Sequence, residues 1–232
     1  MWKLTMFEPK GTMAAPKYVL DLSQGGGPES PAGGSIMKRI FLAALLGAIA
    51  MFIWTSIAHM VLPLGEAGIG EIPNEAAVLS AMQSSIADEA GLYFFPGFGL
   101  GPNPSREAQH EAMKHMDEKL AQHPSGLLLY HPAGSRPFVM ARHLSIEFVT
   151  EFLEALLVVY LLSLTRLTTF GARVAFVTVA GVLAAIATNI SYWNWYGFPA
   201  VYTCAYMLIQ AVGFLCIGLV AAWVLKKQAF AT

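Results

Sequence analysis

Apolar residues fall in four long runs along this chain, and most polar residues lie between the first two runs. The runs cover about residues 40–60, 144–164, 174–195 and 200–225. Each approaches the roughly 20 apolar residues that a helix needs to cross a hydrocarbon core. The pattern predicts an all-α membrane protein with four transmembrane helices, and it places a small external α/β cap between the first and second helices.

The same pattern divides the chain into four parts. We expect a flexible cytoplasmic tail at 1–36, a first transmembrane helix at 37–62, a periplasmic cap at 63–142, and three further transmembrane helices with a short cytoplasmic C-terminus at 143–232. The tail is rich in Gly, Pro and Ser and cannot bury a core. The basic and then apolar run from Met37 also resembles a signal peptide, but its length favours an uncleaved anchor.

Basic residues beside the apolar runs predict the orientation of the helices. Lysine and arginine are enriched in cytoplasmic loops close to membrane helices. Here they precede the first run, flank the turn between the second and third runs, and follow the fourth: Lys38, Arg39, Arg166, Arg173, Lys226 and Lys227. All three groups fall on one side if the helices alternate in direction. We therefore predict that both termini are cytoplasmic.

Composition supports a membrane location and limits the partners. The chain is 56% hydrophobic and only 12% charged, whereas soluble domains have about 25% charged residues. Its net charge of −1 provides no basic face for nucleic acid. The lipid bilayer is the expected partner, and nucleic acid is not. Cys204 and Cys216 are about 18 Å apart along one predicted helix, which is too far for a disulfide.

The cap pattern predicts two helices and two strands. Helical spacing covers 74–86, with Asn74 as the N-cap, and a charged helix covers 105–122. Strands are predicted at 92–96 and 126–132, and their strand–helix–strand order predicts parallel pairing. Because two strands are marginal alone, we expect the cap to pack on the membrane helices, on lipid or on a partner. The residues expected to be buried there are Phe94, Phe95, Phe98 and 127–130.

Four histidines of the cap are weak candidates for a metal site: His110, His115, His123 and His131. A helical zinc pair needs histidines at i and i+4, but His115 follows His110 at i+5. Surface histidines on a solvated helix are the simpler interpretation, and a looser metal site is the alternative. The sequence assigns no catalytic residue, and the cofactor stays unknown.

The second apolar run carries three acidic residues. Glu147, Glu151 and Glu154 follow i, i+4, i+7 spacing, so they lie on one stripe of the helix. If the membrane begins near residue 144, Glu154 lies about 15 Å deep. An ionised carboxylate at that depth costs at least a few kcal/mol. Each buried glutamate is therefore expected to be protonated, paired, metal-bound or in contact with water.

Other polar residues are predicted at similar depth, and with the glutamates they form one predicted intramembrane polar cluster: Glu147, Glu151, Glu154, Asn189, Gln210, His59 and His143. No Lys or Arg of the other runs reaches this depth. Three interpretations stay open. In the first, only Glu154 is buried and protonated, and the other two glutamates are in contact with water. In the second, the cluster handles a proton or a cation. In the third, a partner chain neutralises the cluster. A di-metal site would need Glu-x-x-His pairs, which the cluster lacks.

An aromatic stretch joins the third and fourth runs, and it contains Tyr192, Trp193, Trp195, Tyr196 and Phe198. Trp and Tyr prefer the headgroup region because their rings are amphipathic. The stretch therefore predicts an aromatic belt at the membrane interface. A docking platform for a quinone, a lipid tail or a pigment is the alternative.

Four motifs resemble those of a group of bacterial hypothetical transmembrane proteins: MKRIFLAAL at 37–45, LYFFPG at 92–97, GLLLYHP at 126–132 and SYWNWYGFP at 191–199. The resemblance covers about residues 37–227, and the last motif is the most distinctive. It implies a multi-pass protein of the bacterial inner membrane with no assigned activity. No catalytic residue can be carried over from it.

Three functions follow as hypotheses. The first is a non-catalytic subunit or accessory protein of a larger membrane complex, such as a respiratory or photosynthetic one, with other membrane subunits as partners. It is favoured because catalytic motifs are missing, the glutamates are uncompensated and the cap needs a surface to lie on. The second is a small proton- or cation-coupled transporter or membrane enzyme that uses the glutamate stripe. The third is a periplasmic ligand- or metal-binding sensor.

Overall fold

The computed structural model describes residues 32–226. In chain order its elements are α1 (Ala32–Met60), α2 (Glu75–Ile86), β1 (Gly91–Phe95), α3 (Arg106–Lys114), α4 (Met116–Gln122), β2 (Gly126–Tyr130), α5 (Met140–Ser163), α6 (Phe170–Tyr196) and α7 (Ala200–Val224). The four long helices form a bundle, and the other elements form the cap. Most of the predicted tail lies outside the described residues, but helix α1 already includes its last part, from Ala32.

Three of the described helices are long and apolar enough to cross a membrane. They are Gly34–Met60 of α1, Phe170–Tyr196 and Ala200–Val224. This supports the predicted membrane protein. Helix α5 has 24 residues and is also long, but it carries the three glutamates.

The long helices pack side by side in the order α5, α1, α7, α6. Helix α1 packs against both α5 and α7, and α7 packs against α6. Helices α5 and α6 are joined by residues 164–169 but make few contacts with each other. The row of helices therefore stays partly open between its two outer members. We call the end of the bundle that carries residues 61–139 the cap end, and the end that carries residues 164–169 the turn end.

The buried core lies in the half of the bundle toward the turn end. Its members come from residues 40–51 of α1, the second half of α5, the first half of α6, and the second half of α7 with Leu225, and they include Ala44, Val159, Val177 and Ile217. Small residues let the helices approach closely. A Cβ on Gly181 would overlap the side chain of Phe214, so the contact between α6 and α7 depends on this glycine.

The strands of the cap form an antiparallel pair, in which Gly91 lies opposite Tyr130 and Phe95 opposite Gly126. The predicted parallel pairing is wrong. The predicted single helix over 105–122 is also interrupted at His115, where the backbone leaves helical geometry between α3 and α4. Two short helices, instead of one long one, therefore connect the antiparallel strands.

The cap has no core of its own. No residue between 66 and 150 is buried. Phe94, Phe95 and Phe98 were expected to be buried but are 45%, 40% and 41% exposed. Two strands and three short helices bury too little area to shield them, and within residues 32–226 no cap element packs extensively on the bundle. Of the three supports expected for the cap, the membrane helices contact its first residues, at Gly65 and Gly68, while lipid and a partner stay predictions.

Candidate functional site

A cavity of about 570 Å³ lies in the half of the bundle toward the cap end, and all four long helices contribute to its wall. On α5 the lining residues extend from Met140 to Glu154, a distance of about 21 Å along the helix. The cavity occupies the region where α5 and α6 have separated. The cavity lies toward the cap end, whereas the core fills the half of the bundle toward the turn end.

The structure brings every residue of the predicted polar cluster to the wall of this cavity: Glu147, Glu151, Glu154, Asn189, Gln210, His59 and His143. They come from four helices that are distant in sequence. Sequence reasoning missed Thr55, Ser56 and Tyr206, which also line the cavity. The spacing of Met51, Thr55 and His59 at i, i+4 and i+8 on α1 is a signal that would have found Thr55.

Glu151 is the most buried member of the cluster, with 2% of its surface exposed. Its Oε1 atom accepts a hydrogen bond of 2.7 Å from the Thr55 hydroxyl. Its Oε2 atom is buried and has no hydrogen-bond partner among residues 32–226. An unpaired buried acceptor costs about 1–3 kcal/mol, and a charged one costs more. A proton, a cation or a hydrogen-bond donor at Oε2 would remove this cost.

The other two glutamates are less buried. Glu147 is exposed and Glu154 is half-buried. The ion pairs found in the described part of the chain all lie in α3 and α4, so none of the three glutamates has a basic partner there. The interpretation in which Glu151 is wet and only Glu154 is buried does not agree with this geometry, because Glu151 is the deeper side chain.

Two histidines line the cavity near the cap end, and in each the Nδ1 atom lies against a carbonyl one helical turn earlier. In His59 the Nδ1 atom lies 2.8 Å from the Thr55 carbonyl oxygen. In His143 the Nδ1 atom lies 2.8 Å from the Val139 carbonyl oxygen. A carbonyl only accepts, so Nδ1 is the donor in both rings. In the neutral imidazole, Nε2 is then the acceptor.

The four histidines of the cap do not converge. His115 lies 3.6 Å from both Glu111 and Glu118, and His131 lies 3.2 Å from Arg136. His110 and His123 lie elsewhere on the two short helices, in α3 and just after α4. Across the described range 32–226, no group of three or more His, Cys, Asp or Glu side chains is arranged to hold a metal ion.

The predicted aromatic belt lies at the cap end of α6, whose last turn it forms. Gly197 follows in the left-handed conformation, with φ at 69°, and ends the helix. Tyr192, Trp193, Trp195 and Tyr196 are exposed, and Phe198 is half-buried. None of these five side chains lines the cavity.

The turn end also buries a charged residue. Arg173 is 1% exposed, although the sequence suggested a cation flanking the membrane. Its Nε atom donates a hydrogen bond of 2.9 Å to the Leu167 carbonyl, and its Nη1 atom donates to the Leu225 carbonyl. The guanidinium thereby ties the turn before α6 to the C-terminus of α7, where carbonyl groups lack helical partners.

No protein-family model, curated protein or solved structure matches this chain. The resemblance to bacterial hypothetical transmembrane proteins therefore stays a prediction. Function has to be argued from the cavity and its side chains.

Proposed function

We propose that this chain is a small multi-pass membrane protein that exchanges a proton or a cation between its cavity and the water at the cap end. Glu151 is the group that holds the exchanged ion. The proposal is carried by one observation. Glu151 is buried in the cavity wall, and its Oε2 atom has no hydrogen-bond partner in the described chain.

In this proposal α5 is a fourth transmembrane helix. Its 24 residues give a length of about 36 Å, enough to cross a bilayer. Leu153, Leu157 and Leu161 are exposed on the outer surface of the helix and would contact lipid. The glutamates instead line the cavity. A helix with three acidic residues can cross the bilayer in this way, because ionisable groups in membranes face a bundle interior or a water-filled space.

The orientation we propose follows from the basic residues. Arg166 lies in the turn between α5 and α6. Lys38 and Arg39 lie in the first turns of α1, and Lys226 follows α7. All four belong to the turn end, which is therefore the cytoplasmic end under the positive-inside rule. In a bacterial inner membrane, the cap and the mouth of the cavity would then face the periplasm.

A purely structural role explains Glu151 poorly. A buried carboxylate that lacks a full set of partners destabilises a fold, and an apolar residue of similar size would pack at lower cost. Ionisable groups in unusual surroundings cluster at functional sites. The cavity beside Glu151 gives a proton or cation a route to the carboxylate.

Infrared spectroscopy of the protein in lipid vesicles tests the proposal. We expect a carboxyl stretching band that responds to the pH of the surrounding water. The band should be lost in Glu151→Gln and kept in the control Glu71→Gln, which changes an exposed glutamate of the cap. If no pH-responsive band depends on Glu151, the carboxyl group is locked in the fold and the proposal fails.

An accessory subunit of a larger complex is the second candidate. It is supported by the cap, where Leu92, Phe94 and Leu129 are exposed and share one face of the hairpin through the pairing of Leu92 with Leu129 and of Phe94 with Leu127. Native mass spectrometry of the protein extracted from its own membrane is the test. A stoichiometric complex with other subunits would support this candidate, and a lone protomer would contradict it. The sensor hypothesis gains no support from the scattered cap histidines.

A further inference from the structure

We infer that the cavity binds an organic ammonium ion that carries a short apolar chain. The inference rests on the proposed function, because it names the class of cation that Glu151 would hold. It is drawn from the hydrogen-bonding capacity of the wall, the charge of the wall and the size of the cavity.

The wall of the cavity presents more hydrogen-bond acceptors than free donors, because most of its donors are already used. Side chains on all four long helices donate to backbone carbonyls or to Glu151: the Thr55 hydroxyl to Glu151, the Thr150 hydroxyl to Ile146, the Thr188 hydroxyl to Ala184, the Asn189 amide to Ala185, and the Tyr206 hydroxyl to Gly65. The Nδ1–H groups of His59 and His143 are used in the same way.

The groups left over on these side chains are mostly acceptors. Asn189 retains its Oδ1 atom and one N–H group, because its Nδ2 atom donates only one hydrogen bond, to Ala185. The two histidines retain Nε2, and Glu151 retains Oε2. Gln210 and Ser56 on the wall also keep donors that no hydrogen bond within residues 32–226 uses. A ligand that donates several hydrogen bonds, as a primary ammonium group does, matches this excess of acceptors.

The charge of the wall also favours an ammonium ion. Glu147, Glu151 and Glu154 line the cavity, and in the described chain no Lys or Arg lines it. A ligand with a carboxylate or phosphate would meet like charges and no basic partner, which is unfavourable at low dielectric. This argues against the headgroup of an aminophospholipid and in favour of an amine without an acidic group.

The size of the cavity indicates an organic ligand. A water molecule or an ion of similar size takes up about 30 Å³, whereas the cavity holds about 570 Å³, within the roughly 300–1,000 Å³ typical of small-molecule sites. Much of the wall is apolar, with Met51, Phe52, Met140, Leu144 and Ile209 among its lining residues. These side chains would contact an alkyl chain while the ammonium group reaches Glu151.

Calorimetric titration of the full chain in lipid nanodiscs with hexylammonium tests this inference. Three probes with the same chain act as controls: hexyltrimethylammonium, which has the charge but no N–H donors, hexanol, which lacks the charge, and hexanoate, which has the opposite charge. We expect saturable binding of hexylammonium. Because a hydrogen bond to a charged group is lost, we expect affinity at least about tenfold weaker for hexyltrimethylammonium. Hexanol and hexanoate should show no saturable binding.

Variants connect the binding to the cavity. Glu151→Gln and Glu154→Gln should each weaken hexylammonium binding, by about tenfold or more for Glu151→Gln, while Glu71→Gln should leave it unchanged. Two variants are used so that a folding defect in one, checked by thermal unfolding, leaves the other to decide. Equal binding of hexylammonium and hexanol, or unchanged affinity in both folded variants, would overturn the inference.

The experiments distinguish a wrong ligand class from a wrong proposed function. If hexylammonium does not bind but the infrared band of Glu151 still responds to pH, the ligand class is wrong and proton exchange stands. If the band is absent as well, both proposals fail.

Discussion

The two halves of the helix bundle each bury a charged side chain, and they satisfy it differently. In the half toward the turn end, Arg173 is 1% exposed and donates to the carbonyls of Leu167 and Leu225. In the half toward the cap end, Glu151 is 2% exposed and one of its oxygens has no hydrogen-bond partner within residues 32–226. A buried charge whose hydrogen bonds join a turn to the end of a helix is part of the fold. A buried charge that keeps an unused acceptor beside a cavity is a candidate site.

The surroundings of the two charges also differ, because one lies in packed apolar residues and the other beside a cavity. Arg173 lies at the end of a packed core of Ala, Val, Leu and Ile side chains. Glu151 lies at the wall of a cavity that also contains two histidines and two further glutamates. The comparison predicts that changes at Arg173 alter stability more than function, and that changes at Glu151 do the reverse.

The largest effect on stability is expected for Arg173→Met. The substitution leaves the buried carbonyls of Leu167 and Leu225 without their donor, so the free energy of unfolding should fall by about 2–4 kcal/mol. Denaturant unfolding in detergent micelles measures it. Arg166→Met is the matched control, because Arg166 is exposed in the turn and its loss should cost little. Equal free energies of unfolding of the two variants would mean that Arg173 is not a structural charge of the bundle.

A smaller loss is expected for Thr55→Val. It removes the donor to Oε1 of Glu151 and leaves both carboxylate oxygens unpaired, so the free energy of unfolding should fall by about 1–2 kcal/mol. Thr55→Ser keeps the hydroxyl and should behave as wild type. A double-mutant cycle with Glu151→Leu, which has no acceptor for the Thr55 hydroxyl, should show coupling between the two positions. Additive effects would mean that the hydrogen bond contributes nothing.

Trp54→Phe tests a contact of Trp54, which does not line the cavity, with the backbone of the lining residue Ile209. The indole Nε1 of Trp54 donates a hydrogen bond of 2.8 Å to the Ile209 carbonyl and so links α1 to α7. We expect the free energy of unfolding to fall by about 1 kcal/mol and the infrared band of Glu151 to keep its response to pH. Loss of the band in a stable Trp54→Phe variant would show that the pH response of Glu151 depends on the link between α1 and α7.

The smallest effect on stability is expected for Glu151→Gln, although it should abolish the proton or cation response. Glutamine has nearly the same shape and can still accept from Thr55, and it removes a buried carboxyl, so the free energy of unfolding should change by less than about 1 kcal/mol in either direction. Thermal unfolding beside the infrared measurement checks both parts. If the variant is strongly destabilised, Glu151 has a structural role like that of Arg173.

Helical periodicity explains why much of the site could be predicted. The i, i+4, i+7 spacing of the glutamates places them on one stripe, and apolar surroundings demand that such a stripe face a cavity or a partner. The depths of His59, Asn189 and Gln210 follow from counting residues along each run. The convergence of these groups on one cavity is what the structure adds.

Other features depend on tertiary packing, which single-sequence patterns do not contain. Residue counting cannot show that Glu151 is more deeply buried than Glu154, because this depends on where Thr55 of α1 meets α5. Arg173 looked like an interfacial cation, but the C-terminus of α7 covers it. The antiparallel direction of the second strand of the cap depends on the path of the chain between the strands, and no Gly or Pro marks the break at His115 in the sequence.

Cysteine accessibility in lipid vesicles tests most directly whether an acidic cavity opens to water at the cap end. In a protein with Cys204→Ala and Cys216→Ala, the cavity positions are changed one at a time by Ser56→Cys and Thr188→Cys, and Ile186→Cys serves as the control exposed on the outer surface of α6. We predict that a cationic thiol reagent added at the cap side labels both cavity positions faster than an anionic one, and faster than it labels the control. Equal rates for the two reagents, or cavity positions no more reactive than the control, would contradict the account.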